Sequence, residues 1–108
     1  MNSNTIVTYY RGDSYSKEFT IIDEETGNNI NITGYTLTMS VDKLKTPVDG
    51  TTEVFESPGT IVDALNGVVS FTPSGIDNDI PEGSYYYRIK MILGVTVRTA
   101  IRDKYNII

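Results

Sequence analysis

The sequence has 108 residues, with nine Lys and Arg against fourteen Asp and Glu and a formal net charge of −5. That length suits one domain spanning 1–108 with a single core, and a hydrophobic content of 39% excludes a disordered chain. The acidic balance argues against gripping a nucleic-acid backbone, and the absence of Cys and His removes disulfides, thiol nucleophiles, imidazole bases and the usual zinc ligands.

Met1–Asn4 is polar and reads as an end that is loose or docked on a neighbour. Thr5–Tyr9 is a short strand rich in β-branched residues. Arg11-Gly12-Asp13 is a turn. Tyr15–Ile22 alternates with Phe19 and Ile21 on one face, although Lys17 shares that face. Thr26-Gly27-Asn28 makes the next turn. Tyr35–Val41 alternates cleanly, with Tyr35, Leu37, Met39 and Val41 inward.

Asp42–Pro58 carries Pro47, Gly50 and Pro58 and reads as a long loop, with Val54-Phe55 as a candidate edge strand. Thr60–Ala64 is a weak strand and Gly67–Thr72 a stronger one. Pro73–Ile80 fits one helical turn capped by Ser74. Tyr85–Leu93 has large residues at Tyr85, Tyr87, Ile89 and Met91, and it pairs as a hairpin with Val95–Arg102 through Gly94. Lys104–Ile108 is a last strand or a tail. About seven strands and no helix-period segment predict an all-β, immunoglobulin-like antiparallel β-sandwich. Its core is expected to hold Phe19, Ile21, Leu37, Met39, Phe71, Tyr85, Tyr87, Ile89 and Val97.

Reaction chemistry is sparse. Asp77-Asn78-Asp79 with Glu82 could ligate calcium or supply a carboxylate pair, but a capped turn explains the same residues. Arg11-Gly12-Asp13 matches a cell-adhesion tripeptide, but a plain turn explains the same residues. No catalytic residue, metal ligand or cofactor is assigned, and the chain is read as no enzyme. No apolar leader or membrane-length run is present, so no membrane partner is expected. The useful clue is aromatic and apolar residues expected at the surface: Tyr9 and Tyr10, of which one must face outward, then Tyr86 and Ile92, and Tyr105, Ile107 and Ile108 at the end of the chain. Together they are the expected interface.

The order of motifs carries a resemblance. An Arg-Gly-Asp-Ser turn at Arg11–Ser14 opens a strand ending in Ile22-Asp23. Ile32-Thr33-Gly34-Tyr35 steps into the next strand, Gly67-Val68-Val69 opens another, and Ile80-Pro81-Glu82-Gly83-Ser84-Tyr85-Tyr86-Tyr87 starts the best one. From Thr5 to Ile101 the chain resembles the immunoglobulin-like N-terminal domains of bacteriophage baseplate upper proteins and related small tail and neck proteins. The resemblance implies a virion structural protein of the tail, baseplate, neck or decoration layer, located in the virion after synthesis in the host cytoplasm. It implies other virion structural proteins as partners, a homo-oligomer among the options, and no nucleic acid. It also gives Tyr85 or Tyr87 a corner-tying hydroxyl. Ending at Ile108 without a fibre favours a small adaptor, decoration or connector protein. The competing readings are a host-facing carbohydrate-binding or adhesion module, a carboxylate hydrolase, and a small inhibitor of a host protein.

Overall fold

Residues whose odd positions are large and even positions polar have one stable solution, a strand with one face on a core. Gly83–Leu93 is that strand, β6 of the computed structural model, which describes residues 6–23, 25–45 and 53–108. The predicted end Met1–Asn4 and the middle of the Asp42–Pro58 loop lie outside the described residues. The other strands are β1 Val7–Tyr9, β2 Lys17–Thr20, β3 Thr36–Asp42, β4 Glu53–Asp63, β5 Val68–Phe71 and β7 Thr96–Ile107. Among the described residues every regular element is a strand, so the chain is all-β.

The seven strands form one curled sheet in the order β1-β7-β6-β3-β4-β5-β2. The curl is made by β4. Its first half pairs with β3 from Glu53 to Pro58, and its second half pairs with β5 from Gly59 to Asp63. The strand thus leaves one layer and enters the other. At this corner a Cβ on Gly59 would sit 2.9 Å from both Phe71 and Val69. The predicted loop and the predicted Thr60–Ala64 strand are therefore one element. Its two halves face different surroundings, so it shows no single period.

The two layers close on aromatic rings. Phe19 of β2 meets Tyr87 of β6 at 5.9 Å between centroids, and Phe71 of β5 at 5.8 Å. Tyr105 meets Phe55 at 5.7 Å and Tyr9 at 5.6 Å. Lys17, on the inward face of β2, puts its ammonium 5.5 Å from the centre of the Tyr9 ring and 5.4 Å from that of Tyr15, an arrangement that favours a cation.

Two sequence expectations are corrected. The sheet is mixed, since β1 runs parallel to β7 with Val7 beside Tyr105 and Tyr9 beside Ile107. Val97 is not core; it is 58% exposed. The cause is a bulge in β7. Ile89 pairs with Ile101 but Lys90 pairs with Thr99, which leaves Ala100 as the extra residue. An extra residue swaps the faces of a strand. Ile101, Tyr105 and Ile107 point inward, while Val97 and Thr99 share the outer face with Arg102 and Lys104.

Replacing Gly59 with Ala should cost about 1–3 kcal/mol by overpacking the corner. Thermal melts would show a fall of several degrees, and an unchanged Tm would mean the corner has room.

Candidate interaction surface

The residues expected at an interface divide into two groups. Tyr10 is 65% exposed and Ile108 is 53% exposed. Tyr86 and Ile92 are half-buried and lie on the outer face of β6, as the alternation requires. Tyr9, Tyr105 and Ile107 are core residues, and the expectation that they form exposed surface is corrected.

The reason is the pairing of the last strand. β7 continues to Ile107, held on one side by β6 and on the other by β1. Arg11 N–H donates to the Ile108 carbonyl and Ile108 N–H to the Tyr9 carbonyl, each at 3.0 Å. Side chains lock the same end. The Tyr105 hydroxyl donates to Asn78 Oδ1, and Asn78 Nδ2 donates to the Asp13 carbonyl at 2.7 Å. Asn78 is fully buried, so this link satisfies a side chain that would otherwise be costly. The Tyr9 hydroxyl donates to the Tyr15 carbonyl at 2.9 Å. Burial, and then the neighbouring Tyr15, push the Tyr9 phenol up to about 12. Burial raises the Tyr105 phenol as well.

The acidic loop is a capped turn. Asp77 N–H donates to Ser74 Oγ at 3.0 Å and Ser74 N–H to Asp77 Oδ2 at 3.1 Å. Asp79 is ion-paired with Arg11 at 3.0 Å. Among the described residues no three carboxylates come together as a metal site. Arg11-Gly12-Asp13 is tied into the body, with Gly12 N–H donating to the Asn78 carbonyl at 3.0 Å. The Tyr85 hydroxyl donates to the Pro81 carbonyl at 2.7 Å, so Tyr85 ties the corner ahead of its own strand.

An open groove of about 460 Å³ lies between Ile21–Asp23 and Arg98–Ala100, over Ile30 and Met91. Among the described residues no aromatic ring lines it.

The outer face of β4, β3, β6 and β7 is the feature that sequence reading missed. Register sets its rows. Glu53, Asp42, Tyr86 and Lys104 lie across from one another in the first row, and Glu56, Ser40, Arg88 and Arg102 in the second. Glu56 Oε2 accepts from Lys90 Nζ and from Ser40 Oγ, both at 2.9 Å, and these bonds hold its carboxyl below the usual range. Burial and the nearby Glu56 raise the Glu53 carboxyl. Arg88 lies directly opposite Arg102, and Arg88 Nε is buried with no hydrogen-bond partner among the described residues. The basic residues, scattered in sequence, are therefore clustered in space.

With this geometry fixed, the chain can be set beside known proteins. Its fold is shared with a phage protein domain. The N-terminal domain of phage TP901-1 ORF48 superposes with a TM-score of 0.59, at 16% identity, over 94% of this chain and 83% of that one. No protein-family model matches the sequence, and no curated protein matches it.

Removing residues 105–108 should prevent folding, because it strips Tyr105 and Ile107 from the core and leaves Asn78 unpaired; a truncated chain with native circular dichroism would contradict this. A phenol with a raised folded pKa favours the fold fully below the unfolded value near 10 and loses that favour as pH rises towards the folded value. Stability should therefore fall between about pH 10 and the Tyr9 value of about 12, and Tyr9→Phe should flatten part of that slope in melts across pH.

Proposed function

We propose that this protein is a structural component of a bacteriophage virion that works by protein–protein packing. The observation that carries the reading is the likeness in fold, over 94% of the chain, to the N-terminal domain of phage TP901-1 ORF48. The order of turn and strand motifs from Arg11 to Tyr87 supports it from the sequence side. On this reading the chain sits in the tail, baseplate, neck or decoration layer and performs no reaction.

The arrangement of polar groups fits such a role. Two of the carboxylates that could have served chemistry are occupied locally, Asp77 in a cap and Asp79 in an ion pair. Open to a partner is the end of the molecule carrying Tyr10 and Ile108, while Tyr86 and Ile92 are half-buried on the outer face of the sheet beside the buried Ser40 and Asp42. Tyr gives a large contact area with little side-chain entropy to lose, and Tyr and Arg are both enriched where proteins dock.

Peptide mass spectrometry on gradient-purified particles tests the proposal. The expected result is this chain at constant stoichiometry to the tail proteins through successive gradients. A chain found only in the particle-free fraction would overturn the virion reading.

A further inference from the structure

The open groove beside β7 has a backbone edge on one side, an apolar floor and walls of opposite charge. β1 pairs with β7 from Tyr105 to Ile107, and among the described residues no strand pairs with that side of β7 from Thr96 to Arg102. Unpaired N–H and C=O groups along such an edge are a template for another strand. The floor is Ile21, Ile30 and Met91. Arg98 stands opposite the buried Met91, so it lies on the core-facing row of β7, yet it is exposed where the groove opens. Asp23 and Glu25 stand on the other wall, and among the described residues no ion pair joins them to Arg98. Asp23 Oδ1 accepts from the Glu25 N–H at 2.9 Å, which leaves Oδ2 to face the groove's contents.

We propose that this groove takes one extended segment of a partner protein, which adds to the sheet as a strand beside β7 and sets a Gln or Asn side chain between Arg98 and the Asp23–Glu25 wall. Main-chain bonds to a sheet edge supply affinity, and pockets for alternate side chains supply specificity. Successive guest side chains point to opposite faces, so every second one enters the groove. Those over Ile21, Ile30 and Met91 are aliphatic. The one level with Arg98 must satisfy a base on one side and carboxylates on the other. An acid there would meet Asp23 and Glu25, and a base would meet Arg98. An amide accepts from the guanidinium and donates to a carboxylate. An inward-facing charge and a bulge are also the devices by which edge strands resist unselective pairing. Arg98 and the bulge at Ala100 supply both, so the edge admits a guest that answers Arg98 and turns others away.

The inference does not rest on the virion reading. Absence from purified particles would sink that reading and leave the groove intact, whereas a chain present in particles that takes no extended peptide would sink the groove alone.

The peptide acetyl-Thr-Val-Thr-Gln-Thr-Val-Thr-amide, titrated into isotope-labelled protein and followed by NMR, tests it. Saturable shifts are expected at backbone amides between Thr96 and Ile101 and at Asp23. Versions with Glu or Lys in place of Gln should each bind about tenfold more weakly, since each leaves a charge unanswered. A strand that pairs along one side uses alternate N–H groups, so N-methylation of one alternate set should abolish binding and of the other set should not. Arg98→Glu makes both walls acidic and should move the preference to the Lys version. Its side chain is exposed, so the variant should fold, which circular dichroism checks. No shift at millimolar peptide would overturn the proposal. So would shifts confined to other parts of the molecule, equal binding of the three versions, or binding indifferent to both methylated sets. Binding seen only once residues 1–5 are removed would mean that the chain fills its own groove, and would overturn it as well.

Discussion

The register between β6 and β7 is the constraint on which the rest of the molecule depends. From Gly83 opposite Ile107 to Ile89 opposite Ile101 the strands run in one register, and from Lys90 opposite Thr99 they run in another. The shift at Ala100 decides which side chains of β7 enter the core. It sends Ile101, Tyr105 and Ile107 inward, where Tyr105 reaches Asn78 and β1 finds an edge to pair with. By the same step it sends Arg102 and Lys104 outward, beside Arg88 and Tyr86. Core and surface are thus two readings of one bulge.

The second constraint is the crossing of β4. A strand shared by two layers must turn where the layers meet, and Gly59 gives Phe71 and Val69 the space that a side chain would take. Another close approach is at Gly67, where φ is +72° and a Cβ would lie 2.5 Å from the Ile30 carbonyl oxygen. The main chain there accepts from Ile21 N–H at 2.8 Å, which ties the exit of β2 to the turn before β5. A small domain without disulfides relies on such close backbone contacts together with its aromatic core.

These constraints also explain what could be read from the sequence. β3 and β6 were legible because each keeps one face inward along its length, so the alternation at Leu37, Met39, Tyr87 and Ile89 is uninterrupted. β4 was not, because Pro58 and Gly59 look like loop residues and its two halves share no face. β7 was misread because Val95, Val97, Thr99 and Ile101 alternate smoothly in sequence, and nothing local marks Ala100 as extra. The end of the chain was read as surface because a parallel pairing with β1 depends on tertiary structure. Tyr86 and Ile92 came out correctly as outward-facing, being set by β6 alone. The basic cluster could not be found by counting along the chain, since it exists only once Arg88 is set against Arg102.

The measurement that bears most directly on this account is the set of cross-strand nuclear Overhauser contacts between β6 and β7 in solution. The account predicts backbone contacts of Arg88 with Arg102 and of Ile89 with Ile101, together with Lys90 against Thr99. Contacts of Arg88 with Ile101 and of Ile89 with Ala100 would show the hairpin running without a bulge. The core positions of Tyr105 and Ile107 and the charged rows of the outer face would then both be contradicted.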